Sequence, residues 1–164
     1  MYAADVARKC VSYGIRYFVQ RADYYLERGL AAPDRVGLTL THRCNCRCVM
    51  CDLWKWDDHA RELPAERWLR ILEELHDWIG SFRLALNGGE IFLKPGVYEI
   101  IRRAVELGLT INPVSNGLVF RSDHHLRNLL STGLKSITFS LDGRDPEVHD
   151  RHRGRSGLQL RSPR

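Results

Sequence analysis

The chain has 164 residues, 44% of them hydrophobic, which suffices for one domain with a real core. Its net charge of +5 does not describe a nucleic-acid-binding surface: residues 151–164 hold five arginines and no acid, leaving 20 bases against 20 acids in residues 1–150. No apolar run approaches membrane-spanning length, and Met1 to Cys10 lacks the apolar segment of an export signal, so the five cysteines are expected reduced, in the cytoplasm, with no membrane partner.

Ala3 to about Leu30 has helical periodicity, with Val6, Cys10, Tyr13, Tyr17 and Tyr24 on one stripe. Gly29 and Pro33 close it and open a linker. Cys10 falls on the apolar stripe, as an inert buried thiol would. Residues 1–34 are therefore expected to be an N-terminal helix and linker, 35–154 the core, and 155–164 a disordered basic tail.

From Arg35 a repeating unit begins. Val36, Leu38 and Leu40 alternate through Arg35–Thr41 as in a strand, which runs into the cysteine-rich stretch. Pro64 is placed as a first helical residue, and Trp68, Ile71, Leu72, Leu75 and Ile79 make one apolar face up to Gly80. A second strand, Phe82–Leu86, leads into Asn87-Gly88-Gly89-Glu90. A second core helix turns Val97, Ile100, Ile101, Ala104 and Val105 inward and stops at Gly108. A third strand, about Leu109 to Val114, opens into Ser115-Asn116-Gly117. A short helix carries Leu126, Leu129 and Leu130 as far as Gly133, with His124 and His125 on its solvated face. A fourth strand, Ser136–Leu141, ends at Asp142-Gly143.

Strands and helices alternating at this spacing mean βαβ units and a parallel sheet. The fold class expected is α/β: a partial TIM-like (βα) barrel of about four parallel strands preceded by a helix. Four polar segments, Cys44–Cys51, Gly88–Glu90, Ser115–Asn116 and Ser140–Asp142, each fall at the C-terminal end of a strand. In a parallel sheet those ends share one face, where ligands bind.

The chemistry concentrates in the first segment. Cys44, Cys48 and Cys51 are spaced C-x3-C-x2-C. Three soft thiolates on so short a loop point to a metal or an iron–sulfur cluster, and they are one ligand short of a closed zinc site. A zinc knuckle completed by His42 or His59 stays open at this point. Cys46, between the ligands, reads as a spare thiol.

Taken together, these motifs resemble the first part of a radical S-adenosylmethionine (SAM) enzyme over about residues 35–154. The resemblance implies a [4Fe–4S] cluster on Cys44, Cys48 and Cys51, with SAM on the open iron. Reductive cleavage of that SAM would give a 5′-deoxyadenosyl radical that abstracts hydrogen from a substrate. It implies that Met50 lies near the adenine and that Gly88, Gly89 and Glu90 hold the SAM ammonium group. Ser115, Asn116, Ser140 and Asp142 would line the ribose and carboxylate side. His149-Asp150 and Arg153-Gly154 match a His-Asp-x-x-Arg-Gly pattern that follows the fourth strand in members acting on peptides or small molecules. The partners implied are such a substrate and an electron donor such as flavodoxin or ferredoxin, with no nucleic acid. The family core has six βα units, so this chain reads as truncated after its fourth strand. The competing reading is a non-catalytic iron–sulfur or zinc module acting through a protein partner.

Overall fold

The computed structural model describes residues 2–27, 29, 31–56 and 61–154, with the backbone alone at 2–10, 12, 13 and 16. The chain divides into two units, the second beginning at Arg35. The basic tail expected over 155–164, and the side chains of Val6, Cys10 and Tyr13, lie outside the described residues.

The first unit is a single long helix, α1 (Tyr2–Leu26), with its trailing linker. It ends short of the expected Leu30 because Glu27 takes a positive φ of 51° and turns the chain. Gln20 then donates to the Ala32 carbonyl, and Asp23 accepts from the Ala31 N–H, folding the linker back along the helix.

In the second unit, β1 (Arg35–Thr41) and β2 (Arg83–Gly88) pair in parallel, with Val36 opposite Leu84 and Leu38 opposite Leu86. The register slips between Thr39 and Thr41, so Thr41 faces Gly88 at the strand ends. Between them runs α2 (Ala65–Ile79), whose apolar face buries Trp68, Leu72 and Ile79. Pro64 stands one position earlier than expected, as the extended cap before Ala65, and Gly80 ends the helix at φ 70°. α3 (Val97–Glu106) sets Val97, Ile100, Ile101 and Ala104 into the same core. That core also takes Leu40, Leu84, Leu86 and Phe92, which sandwiches the apolar layer between sheet and helices.

The third strand departs from its expected span. Instead of one run from Leu109 to Val114 there are two short pieces, β3 (Thr110–Ile111) on β2 and β4 (Val114–Ser115) on β5 (Thr138–Phe139). The break is Asn112-Pro113. Proline has no N–H for the ladder, so only its carbonyl is used, by the Thr138 N–H. The fourth strand likewise shrinks from six residues to two. Among the described residues its exposed side chains have no sheet neighbour on the far side to hold a longer ladder.

α4 (Asp123–Leu130) precedes β5 and buries only Leu129; the expected inward residues Leu126 and Leu130 are exposed. His124 is exposed as expected, whereas His125 is half-buried, with Nδ1 2.8 Å from the Tyr98 hydroxyl. After β5 comes α5 (Pro146–Arg153), with proline in its first turn and Gly154 closing it in the left-handed region at φ 62°. Every strand pairing among the described residues is parallel. The C-terminal ends of β2, β4 and β5 and the loop that follows β1 line one cavity, and the site lies there.

Candidate cluster and cofactor site

β1 delivers the chain to the cysteine loop, and the end of β2 holds that loop from below. The Gly89 N–H donates to the Thr41 carbonyl at 2.9 Å, and the Glu90 N–H to the Arg43 carbonyl at 2.7 Å. A Cβ on Gly88 would lie 2.2 Å from the Thr41 oxygen, and one on Gly89 2.4 Å from the Arg43 oxygen. Gly88 also has a φ of 141°, which side-chain-bearing residues avoid. The two glycines are thus required by close approach of β2 to the start of the cysteine loop itself.

Above this junction is a cavity of about 510 Å³. Cys44, Cys48 and Cys51 all line it, and so does Cys46. Met50, Gly88 and Gly89 contribute to the wall, as do Ser115 and Asn116 from the end of β4, and Ser140 and Asp142 from the end of β5. All the sequence-predicted site residues but one therefore meet around one cavity.

The exception is Glu90. Its carboxylate is 1% exposed and turned into the protein, where it accepts from the Ser115 hydroxyl, the Asn116 N–H at 2.8 Å and the Phe92 N–H. Burial pushes its pKa above the usual carboxylate range, although the donors oppose that shift. Its visible work is to fasten the end of β4 to the turn after β2.

A second link runs from that turn to the cysteine loop. The Asn116 side-chain amide donates to the Asn45 carbonyl oxygen at 2.7 Å across 71 residues of chain. Among the cysteines, the Cys46 N–H donates to the Cys44 sulfur. A hydrogen bond from the Cys46 thiol draws the Cys44 thiol down to about 7, against the opposing effect of burial. The same contact, with burial, pushes the Cys46 thiol up. Cys44 is thereby biased toward the thiolate that a metal needs, and Cys46 toward the neutral thiol.

Two anchors of the loop escaped the sequence reading. On one flank Glu62, its side chain 10% exposed, accepts from the Thr41 hydroxyl and from Arg43 Nε at 3.2 Å. It also pairs with the buried Lys94 Nζ at 3.4 Å. Burial acts to raise the Glu62 pKa, but the bonds from Thr41 and Arg43 and the charge of Lys94 outweigh it and hold it low. On the other flank the carbonyls of Arg153 and His152, at the end of α5, accept the N–H groups of Arg47 and Val49 at 3.1 and 3.0 Å. Neither anchor has a local sequence signal, because its partners lie far apart in the chain. The glycine of Arg153-Gly154 does have one: a Cβ there would sit 2.0 Å from the Arg47 oxygen.

The aromatic residues of the loop divide. Trp54 lines the cavity, with Arg47 and Lys55 at 5.6 and 5.5 Å from its ring, while Trp56 is exposed and meets His42 edge-on. His59 lies outside the described residues. Among the described residues no group of three His, Cys, Asp or Glu is arranged to hold a single metal ion.

Residues 38–160 match the family described as the Radical SAM superfamily. The chain belongs to that superfamily. It is 35% identical over 125 residues to the sporulation killing factor maturation protein SkfB of Bacillus subtilis, covering 76% of this chain and 30% of that one. It is 34% identical over 132 residues to the PqqA peptide cyclase of Ruegeria pomeroyi, covering 80% and 35%. Among solved structures, Streptococcus suis SuiB bound to S-adenosylmethionine superposes with a TM-score of 0.65 at 22% identity, over 76% of this chain and 28% of that one. The radical SAM chain thus has the partial TIM-like fold expected of it and spans about a third of the length of these relatives. Family membership does not favour the zinc-module alternative.

The site fits the family's cofactors by its own chemistry. Three thiols share one cavity, one of them biased toward thiolate, and its floor is a glycine pair that closes β2 against the loop carrying those thiols.

Proposed function

We propose that this chain binds a [4Fe–4S] cluster through Cys44, Cys48 and Cys51 and S-adenosylmethionine beside it, as the catalytic core of an enzyme acting on a peptide. The observation that carries this reading is the gathering of the three thiols, the Gly88-Gly89 floor and the polar ends of β4 and β5 around one cavity. Held there by Cys44, Cys48 and Cys51, the cluster would supply the electron for reductive cleavage of SAM and so the means of hydrogen abstraction from the substrate.

The protein's own residues bind and orient. Gly88 and Gly89 let the end of β2 close against the cysteine loop and so form the cavity floor, and the buried Glu90 carboxylate supplies a counter-charge to the SAM ammonium from behind that floor. Ser115, Asn116, Ser140 and Asp142 offer hydroxyl, amide and carboxylate groups to the ribose and carboxylate side. Met50, 60% exposed, presents an apolar surface to the adenine. A peptide as substrate is supported by the relatives, which include peptide cyclases, and by the SuiB structure bound to the precursor peptide SuiA. An external one-electron donor such as flavodoxin or ferredoxin completes the system, and a cytoplasmic setting suits reduced thiols.

Anaerobic reconstitution with iron and sulfide tests this directly. The expected product is brown, with about four irons per chain, and loses them in Cys48→Ala. Colourless, stoichiometric zinc binding in place of iron would refute the proposal.

A further inference from the structure

Arg153, in the cavity wall, touches both a cluster-loop cysteine and a strand-end acid. Its guanidinium Nη1 donates to the Cys48 sulfur at 3.7 Å, and its Nε pairs with the Asp142 carboxylate. The side chain is only 16% exposed. Its position is set from several directions. The Arg153 and His152 carbonyls accept the Arg47 and Val49 N–H groups on either side of Cys48. Gly154 lets the helix end approach Arg47 closely. The buried His149 accepts the Asp142 N–H through Nδ1 at 3.2 Å, which fixes the acid to the same helix. A merely solvated arginine would need none of this.

We infer that Arg153 is a positioning residue that raises the reduction potential of the bound cluster, through a charge-assisted hydrogen bond to the Cys48 ligand, and that Asp142 attenuates it. This deepens the proposed function and rests on the reading that Cys48 is a cluster ligand. The physical reason is Coulombic. A cluster on three thiolates gains one negative charge when one electron enters, so a fixed cation at a ligand sulfur stabilises the reduced form more than the oxidised form. Hydrogen bonds to the sulfurs act in the same sense. The Asp142 carboxylate offsets part of that cation, so the pair sets an intermediate field at Cys48.

The experiment is an EPR-monitored potentiometric titration of the reconstituted full chain, using dithionite as the one-electron reductant. Iron and sulfide are assayed on each sample. Arg153→Gln should titrate at more negative potential than the wild type. At the wild-type midpoint its reduced-to-oxidised ratio should fall about tenfold, because the hydrogen bond and the cation bind the more negative reduced cluster more strongly than the oxidised one. Arg153→Lys should fall between, since it keeps the charge and loses the fork. Asp142→Asn should shift the opposite way, to more positive potential. Opposite signs are the decisive readout, because a loosened loop would not produce them. If Arg153→Gln holds no cluster, Arg153→Lys and Asp142→Asn still carry the test. Equal midpoints for all variants, or shifts of one sign for Arg153→Gln and Asp142→Asn, would overturn the inference while leaving the cluster assignment standing. Absence of iron from the wild type would instead overturn the function on which it rests.

Discussion

The two halves of the second unit are built from the same βα repeat and differ sharply in how they are held. In the first half β1 and β2 run side by side for six pairings, and Leu72, Ile100, Ile101 and Ala104 behind them are fully buried. In the second half β4 and β5 share two pairings, and Phe139, Leu141 and Leu130 are 48%, 60% and 73% exposed. The first half is stabilised by apolar packing. The second gives that core only Val119 and Leu129, with Phe120, Leu134 and Ile137 packed against it, and adds polar ties: Ser115 and Asn116 to Glu90, Asn116 to Asn45, and α5 to the cysteine loop. A site that straddles the two can therefore have a rigid floor, at Gly88 and Gly89, and walls positioned by hydrogen bonds.

That contrast can be broken first at its strongest point. Leu72→Ala removes a side chain with no exposed surface from the packed half and should cost about 2–5 kcal/mol, read from urea unfolding. A smaller loss, about 1–3 kcal/mol at neutral pH, is expected for Glu62→Gln, because Lys94 is left buried without its counter-charge. The pH dependence sharpens this case. Glu62 has its folded pKa held low, so its contribution is present above the unfolded value of about 4.3 and is lost as pH falls through the folded value. The gap between wild type and Glu62→Gln should therefore close in unfolding curves taken at progressively lower pH. Glu90 works in the opposite sense: its raised pKa gives a contribution complete below the unfolded value and lost as pH rises through the folded one. The smallest effect belongs to the open half. Leu130→Ser should change stability by no more than about 0.5 kcal/mol, and a loss comparable to that of Leu72→Ala would erase the distinction drawn between the halves.

Much of this was legible in contiguous residues. The helix faces ending at Ile79 and Val105 followed from 3.6-residue periodicity, and the cysteine spacing announced its own chemistry. The division of the third strand was also written locally, since Pro113 cannot supply a ladder N–H, but periodicity alone ran past it. Shortening of the fourth strand was not legible, because ladder length depends on neighbours and, among the described residues, Thr138–Phe139 has one on a single side. Glu90 shows the same limit. Its place after two glycines suggested a carboxylate offered to a ligand, yet the fold supplies three protein donors that turn it inward.

By itself the sequence determined the repeat, the apolar faces, the cysteine loop and the glycine pair, because each depends on residues within one or two turns of chain. Tertiary structure alone decided which charges meet that loop. Glu62 reaches Lys94 across 32 residues, and Arg153 reaches Cys48 across 105. Such pairings have no periodicity to read. They exist because burial beside the cavity makes an unpaired charge costly, and the packed strand ends bring a partner within reach.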